Sequence, residues 1–281
     1  DALLANTTGA ANTGVGVNSL KAITTGSNNT GLGTSAGLSI TEGTNNLALG
    51  KSALVFTTTG DHNIALGEDS VRCNTTGDYN IGIGVNALFK NTASNNVAIG
   101  RNSLSCNTTA ANNTAVGTDA LKLNTTGQHN TSVGMGNLYS NTTASYNTAI
   151  GSLALDTTTT GSSNTAVGYD ALTANTTGIN SVAVGANALD ANTTGSKNIA
   201  VGQHSLGTVS TGSNNVAVGH IALEDLTTAG ENTALGAFSS RNTTTGANNV
   251  SVGYNSLQTN TTGANNVAVG YAAMVTNTTG A

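Results

Sequence analysis

Residues 248–271 read NNVSVGYNSLQTNTTGANNVAVGY, and the phrase N-N-V-x-V-G-Y returns after 17 residues with only its small central residue changed. The glycine that closes this phrase occurs sixteen times along the chain, and we call it the reference glycine. Every interval is 17 residues except the 16 between Gly84 and Gly100. A fixed period indicates stacked units that bury apolar side chains against their neighbours. The reference glycines are Gly16, Gly33, Gly50, Gly67, Gly84, Gly100, Gly117, Gly134, Gly151, Gly168, Gly185, Gly202, Gly219, Gly236, Gly253 and Gly270.

Each position of the repeat has a constant character. The three residues before the reference glycine are Thr, Val, Ile or Leu, then Ala, Gly or Ser, then an aliphatic residue. Asn precedes them in fifteen copies, with Ser181 as the exception. Leu stands four residues after the glycine in twelve copies, and an N-T-T phrase occurs ten times. The alternation predicts a short β-strand, and the Asn, Thr and Gly residues predict turns.

The period selects the architecture. Seventeen residues are too few for a helical repeat or a propeller blade, which need about 33 or more. We therefore predict an all-β chain, a parallel β-solenoid or β-roll of about sixteen coils. At about 4.8 Å per coil, this stack would form a rod roughly 77 Å long. The absence of proline agrees with this, because each coil must donate its N–H groups to the next.

The repeat runs through residues 1–281 as one continuous array. The chain opens with DALLANTTGA and closes with NTTGA, both inside a repeat. We expect this array to be part of a longer fibre and to contain no capping repeats.

The pattern also predicts which side chains face inward. We expect the aliphatic residue before the reference glycine and the Leu four residues after it to form the core. The small central residue is never charged, although the chain has 21 charged residues. This favours close packing of that position against a second copy, in a parallel homotrimer. The alternative is a single-chain solenoid with a narrow interior lined by alanine.

The charged residues stand one, two, five, six, eleven or twelve positions after the reference glycine, with Glu42 as the outlier. This distribution predicts an exposed arc on each coil. The constant Asn column predicts an amide ladder between coils. Each N-T-T phrase is formally a glycosylation sequon, but we interpret it as a turn that Asn, Thr and Gly stabilise.

Composition excludes several classes of partner. Eight Lys and Arg residues are spread over the chain and the net charge is −5, so we predict no nucleic-acid partner. No apolar run approaches the roughly 20 residues of a membrane-spanning helix, so we predict no membrane span.

The histidines do not predict a metal site. His62 and His129 occupy the same position in coils four apart, whereas His204 and His220 lie in adjacent coils, one position out of register. We expect exposed, unpaired histidines, no metal and no cofactor.

Cys73 and Cys106 share a position two coils apart, a separation of about 10 Å. A disulfide needs Cα atoms within about 7 Å. We expect free thiols, and a bridge between chains stays open.

No G-x-S-x-G or other nucleophile motif is present, and the repeat is interrupted only mildly, at GTSAGLSITEG, NTASNN and GAFSSRNTTTG. We predict no catalytic residues and no enzymatic activity. Tyr169, Tyr254 and Tyr271 directly follow reference glycines. They are the candidate contacts on the exposed arc for a glycan or protein of a host surface.

The phrases NTAVGYDALTANTTG (164–178) and NSVAVGANALDANTTG (180–195) resemble the repeats in tail fibres of marine bacteriophages. The core of the phrase is also similar to the head repeat of trimeric autotransporter adhesins, which forms a parallel β-roll in a trimer. The coils here are longer than the adhesin's and contain an additional N-T-T-G turn. The resemblance implies a trimeric extracellular shaft that holds an adhesive tip, on a virion as a tail fibre or on a cell surface.

Two alternatives stay open. One is a bacterial surface adhesin or a self-assembling extracellular filament. The other is an ice-binding β-solenoid, because Thr residues recur at every coil. Ice-binding faces typically present T-x-T with both hydroxyls on one side of a strand. The adjacent threonines of N-T-T should instead point in different directions.

Overall fold

The computed structural model describes residues 1–280, and the regular structure in this range consists of sixteen β-strands of three residues. The chain divides into two compact units, Asp1–Thr143 and a second unit that begins at Ala144. Each coil contributes one strand, and each strand ends directly before a reference glycine.

The first unit holds eight strands in a parallel sheet. Each residue pairs with the residue 17 positions further along, as Thr114 does with Thr131. The exception is the pair from Ile81 to Val97, where the coil is one residue shorter. The strands are β1 (Thr13–Val15), β2 (Thr30–Leu32), β3 (Leu47–Leu49), β4 (Ile64–Leu66), β5 (Ile81–Ile83), β6 (Val97–Ile99), β7 (Thr114–Val116) and β8 (Thr131–Val133).

The second unit repeats this arrangement with eight parallel strands in register. Val182 of one strand, for example, pairs with Ile199 of the next. The predicted parallel β-solenoid of 17-residue coils is therefore confirmed. None of the described residues belongs to a helix that could cross a membrane. The strands are β9 (Thr148–Ile150), β10 (Thr165–Val167), β11 (Val182–Val184), β12 (Ile199–Val201), β13 (Val216–Val218), β14 (Thr233–Leu235), β15 (Val250–Val252) and β16 (Val267–Val269).

The interior contradicts one predicted orientation. The Leu four residues after the reference glycine is buried as expected, and Leu172 and Leu189 have no exposed surface. The aliphatic residue before the glycine, however, points outward, and Val218 is 38% exposed. The small central residue points inward, so Ala183 is completely buried. The small column thus lines the interior of the chain's own coils and does not face a second copy.

The physical reason is the width of the coil. The central residue of a strand lies directly against the core leucine of the preceding coil. A Cβ on Gly31 would come within 2.9 Å of Leu20 Cγ. An interior this narrow accepts a Leu opposite an Ala but not opposite a second large side chain. The narrow interior lined by alanine is therefore confirmed.

Neighbouring side chains fill the interior where the repeat has exceptions. Where Val71 replaces the core leucine, the facing strand centre is Gly82, whose Cβ would lie only 2.5 Å from Val71 Cγ2. Where Gly37 replaces the core leucine, Leu20 and Ile40 fill the space, within 3.0 Å of where a Cβ would lie. Both substitutions keep the interior filled.

The predicted amide ladder is confirmed. Asn46 Oδ1 accepts hydrogen bonds from the backbone N–H of Asn63 at 2.9 Å and from its Nδ2 at 3.2 Å. Nδ2 of Asn46 in turn donates to the carbonyl of Gly60 at 2.8 Å. These side chains are buried, and their amides satisfy backbone groups that water cannot reach. One such asparagine in each coil, or Ser181 in one of them, joins successive coils.

The N-T-T phrase forms the predicted turn. Asn74 accepts from Gly77 N–H at 3.0 Å and donates to the Gly77 carbonyl at 2.8 Å. The hydroxyl of the first threonine donates a hydrogen bond to the next coil, as Thr176 Oγ1 does to the carbonyl of Thr193 at 3.0 Å. The second threonine, such as Thr177, is exposed. The two hydroxyls therefore point in different directions, as predicted.

Glycine has two distinct roles in each coil. The reference glycines have φ between 125° and 142°, which other residues rarely adopt. The glycine of the N-T-T-G turn does not need a positive φ. It is favoured because a Cβ on Gly178 would overlap the carbonyl oxygen of Gly195 in the next coil. Ala110 and Ala144 nevertheless occupy the same position in other coils and are buried there. A positive φ is thus a property of the reference glycines and not of the turn glycine.

Candidate interaction surfaces

In each unit the most uniform surface is formed by the two outward positions of every strand, which we call the outer face. In the two units together these 32 positions hold 25 Val, Ile or Leu residues and seven Thr residues, and none is charged. Within the second unit Ile199 is 39% exposed and Val218 is 38% exposed. Soluble monomers rarely expose a contiguous apolar patch of more than a few hundred Å². The outer face therefore has the composition of an interaction surface.

Sequence reasoning missed the outer face because one of its two positions, the aliphatic residue before the reference glycine, is predicted to belong to the core. The signal was present in the alternation. The central residue of each strand is always small, whereas the two residues beside it, on the opposite side of the strand, are always β-branched or Leu. Either set fits a buried column when only one coil is considered. The size of the core leucine, which sits opposite, decides between them.

The structure brings together two of the three tyrosines predicted as contacts. Tyr254 and Tyr271 stack with ring centroids 5.6 Å apart and planes 10° apart. The row continues through Phe238, whose ring meets Tyr254 edge-on at 5.8 Å, to His220 at 5.4 Å from Phe238. We call these four residues, one on each of four successive coils, the aromatic ladder.

Tyr169 lies apart from the aromatic ladder. It is 55% exposed and interacts with Asp170, whose hydrogen bond and negative charge raise the pKa of the tyrosine hydroxyl. The ladder members that sequence reasoning omitted, His220 and Phe238, follow different reference glycines by one and two positions. A search restricted to tyrosines directly after the glycine could not find them.

The histidines are not unpaired, contrary to expectation. His62 stacks on Tyr79 at 4.9 Å, and its Nε2 lies 3.3 Å from Asn45 Nδ2. His220 belongs to the aromatic ladder. His204 lies close enough to Asp190 to act against the rise in the pKa of the Asp190 carboxyl group. Residues 1–280 contain no group of three or more His, Cys, Asp or Glu side chains that could hold a metal ion. Cys73 and Cys106 are free thiols.

The charged arc carries short ion pairs between neighbouring coils. Lys51 contacts Glu68 at 2.8 Å, and Arg241 contacts Glu224 at 3.1 Å. The first pair is exposed and contributes little to stability, whereas the second is partly buried. Arg72 is more constrained, because its guanidinium lies between two rings. The guanidinium carbon is 5.1 Å from the ring centroid of Phe56 in the preceding coil and 5.3 Å from that of Phe89 in the following coil.

Three carboxyl groups of the second unit face unfavourable surroundings. Partial burial raises the pKa of Asp156, and the charge of Asp170 raises it further. Burial also raises the pKa of Asp190 and of Asp225, the latter with a contribution from Glu224. In the first unit the outcome is reversed at Asp119. Burial opposes its ionisation there, but hydrogen bonds from Asn102 and Lys122 leave its pKa lowered.

These surfaces contain side chains suited to binding and packing. No protein-family model matches this sequence, and a comparison with curated proteins finds no match.

Proposed function

We propose that the chain is the structural and adhesive shaft of a homotrimeric extracellular fibre, of the kind that bacteriophages carry as tail fibres for attachment to a host cell. The observation that carries the proposal is the outer face, an uncharged row of Val, Ile, Leu and Thr side chains on every strand. Three parallel copies would bury these rows against one another around a common axis. The interface thereby moves from the small column, which is buried within each chain, to the outer face.

The repeat makes such an assembly self-consistent. In a parallel, in-register assembly each coil meets the equivalent coils of its partners, so the same contact recurs at every step of about 4.8 Å. The mechanism is mechanical. Stacked backbone ladders, amide ladders and packing between chains would make a stiff spacer that resists proteolysis. The chain has no catalytic role on this proposal.

The exposed arc would face the surroundings of the fibre. Its aromatic ladder places Tyr254 and Tyr271 beside Phe238 and His220, a set that suits contact with a host-surface glycan or protein. Aromatic side chains supply large contact area with little loss of conformational entropy.

The mass of the purified chain in solution tests the proposal. Light scattering should give three times the mass of one 27.6 kDa chain, and the trimer should persist in detergent until it is boiled. A stable monomer at micromolar concentration would contradict the proposal. Masses that grow without limit would favour the alternative of a self-assembling filament, and an anchor to a bacterial outer membrane in flanking sequence would favour a surface adhesin.

A second candidate is ice binding, and one observation favours it. Seven strands place a Thr and an aliphatic residue outward on the same side, as Thr165 and Val167 do. This T-x-V arrangement recurs at the strand spacing. A monomer that produces thermal hysteresis and faceted ice crystals would support this function. The trimer would exclude it at this surface, since its outer faces would be buried.

A further inference from the structure

A depression of about 190 Å³ lies on the exposed arc of the first unit, between two successive coils. One coil contributes a pair of large side chains and the next a pair of small ones at the same repeat positions, so a gap opens beside the larger pair. At about 30 Å³ per water molecule, the space corresponds to roughly six waters. It is smaller than a drug-sized pocket, which occupies about 300 Å³ or more. The lining residues are Asn86, Phe89, Lys90, Asn102, Ser105 and Cys106.

The aromatic wall is held rigidly. Phe89 is half-buried, and Arg72 of the preceding coil lies over its ring at 5.3 Å. Asp69 fixes Arg72 through an ion pair of 3.1 Å. Because Arg72 approaches from the preceding coil, the ring side toward Ser105 and Cys106 in the following coil faces the depression.

The cation of the depression is not neutralised. Lys90 is exposed, and no ion pair within the described range involves its ammonium group. Its backbone N–H donates to the Ser105 carbonyl at 3.1 Å, which fixes the base of the side chain. Asp119, which accepts a hydrogen bond from the lining residue Asn102, pairs with Lys122 at 3.2 Å and with Arg101 at 3.9 Å. Positive charge at Lys90 is therefore available to a ligand.

Two amides complete the lining. Asn86 Nδ2 donates to Asn102 Oδ1 at 3.3 Å, and Asn102 Nδ2 donates to Asp119 Oδ1 at 2.9 Å. These hydrogen bonds orient both side-chain amides. They leave the side-chain oxygen of Asn86 and the hydroxyl of Ser105 as polar groups for a ligand. The depression thus combines an aromatic surface, a free ammonium and fixed hydrogen-bonding groups.

We propose that this depression binds one negatively charged sugar residue, a uronic acid or a sugar acid of similar size. The apolar face of the sugar ring would lie on Phe89, its carboxylate would pair with Lys90, and its hydroxyls would bond to Asn86 and Ser105. A neutral sugar lacks the ion pair, and a simple carboxylate lacks the ring contact. This site goes beyond the fibre proposal, because it would bind its ligand whether the chain is monomeric or trimeric.

Ligand-observed saturation-transfer NMR on the complete chain tests the site, with glucuronic acid as the probe and glucose as its neutral counterpart. We expect millimolar binding of glucuronic acid. An exposed ion pair contributes about 0.2–1 kcal/mol, so the preference over glucose should be about 1.4- to fivefold and should shrink at high salt. Lys90→Gln should lower the affinity for glucuronic acid to that for glucose. Phe89→Leu, which retains apolar volume, should weaken both sugars.

Lys197→Gln is the matched control, since Lys197 is an exposed lysine elsewhere in the chain, and it should leave binding unchanged. Circular dichroism and light scattering on each variant separate loss of the site from loss of fold or assembly. Equal binding of the two sugars, or unchanged binding by Lys90→Gln, would overturn the proposal. Displacement of glucuronic acid by acetate at equal concentration would also overturn it, because the site would then recognise only an anion.

Discussion

At the residue scale, the core leucine holds a backbone conformation that leucine rarely adopts. Leu172 has φ of 54°, in the left-handed region that costs a non-glycine residue about 1–3 kcal/mol. The conformation has a clear consequence, because Ala171 and Leu172 are both completely buried. Consecutive residues of a regular strand face opposite sides. The left-handed residue therefore lets two neighbouring side chains enter the same narrow interior.

Enlargement of a strand centre should be destabilising. Ala183→Val adds two methyl groups where the residue is fully buried, and overpacking of this kind costs about 1–3 kcal/mol. Urea unfolding followed by circular dichroism measures the loss. Val184→Thr, an exchange of similar size on the outer face, is the control and should change stability less. An Ala183→Val chain that is equally stable but altered in oligomeric state would show that the column faces a partner after all.

Disruption of the amide ladder should be costly in a chemically selective way. Asn198 accepts from the Asn215 backbone at 3.0 Å and donates to Gly212 at 2.7 Å. Asn198→Leu leaves both backbone groups buried without partners, at about 1–3 kcal/mol each. Asn198→Ser should be milder, because Ser181 occupies this position naturally and its hydroxyl accepts from Asn198 N–H at 3.2 Å. Thermal unfolding should rank the wild type above the Ser variant and the Ser variant above the Leu variant, and any other order would refute the ladder's role.

At the scale of a single coil, the turn glycine limits how closely coils can stack. A methyl group on Gly178 would overlap the Gly195 carbonyl, whereas one on Gly207 would approach nothing closer than 3.4 Å. Because Ala110 and Ala144 occupy this position in other coils, we expect Gly178→Ala to leave the fold intact, to shift two coils apart locally and to lower the unfolding temperature slightly. Gly207→Ala should be neutral. Hydrogen exchange of the backbone amides around Thr176 would locate the damage, and equal protection in both variants would refute the expected local separation.

The partly buried carboxyl group of Asp156 should make the stability of the second unit depend on pH. The pKa of Asp156 is raised in the folded chain, first by burial and then by Asp170. The folded state therefore holds this proton more tightly than the unfolded state, and its stability falls as pH rises through the interval above the ordinary aspartate pKa. Asp156→Asn should raise the unfolding temperature at pH 7, and the gain should vanish as pH approaches 4.

The control for this experiment is Glu231→Gln, which removes an exposed acid from the same unit. It should leave the unfolding temperature nearly unchanged at both pH values. A gain of the same size in the control would assign the effect to net charge, and a gain from Asp156→Asn that persists at low pH would contradict the raised pKa.

At the scale of the whole molecule, the outer face should control assembly and contribute little to the fold of a single chain. Replacement of Ile199 and Val218 by Glu places charge at two positions that are 39% and 38% exposed. Such charge is tolerated in water but not in an apolar interface. We expect light scattering to show single chains and circular dichroism to show an intact β-solenoid.

A second double variant provides the comparison. Ala186→Glu with Gln203→Glu adds the same charge on the arc that already carries the charged residues, and it should leave the assembly intact. If both double variants dissociate the oligomer, charge repulsion alone is responsible. If neither does, the outer face is not the interface.

The sequence by itself determined the repeat, its 17-residue period, the strand in each coil, the amide ladder and the N-T-T turn. These features depend on local residue chemistry and on identical neighbours, both of which are visible in aligned repeats. It could not decide which side of each strand faces inward, because Val and Ala columns alternate with equal regularity. That choice depends on the space left by the core leucine of the adjoining coil, as the close approach at Gly31 and Leu20 illustrates. The aromatic ladder and the depression beside Lys90 likewise exist only in three dimensions, because they join residues that stacking brings together from separate coils.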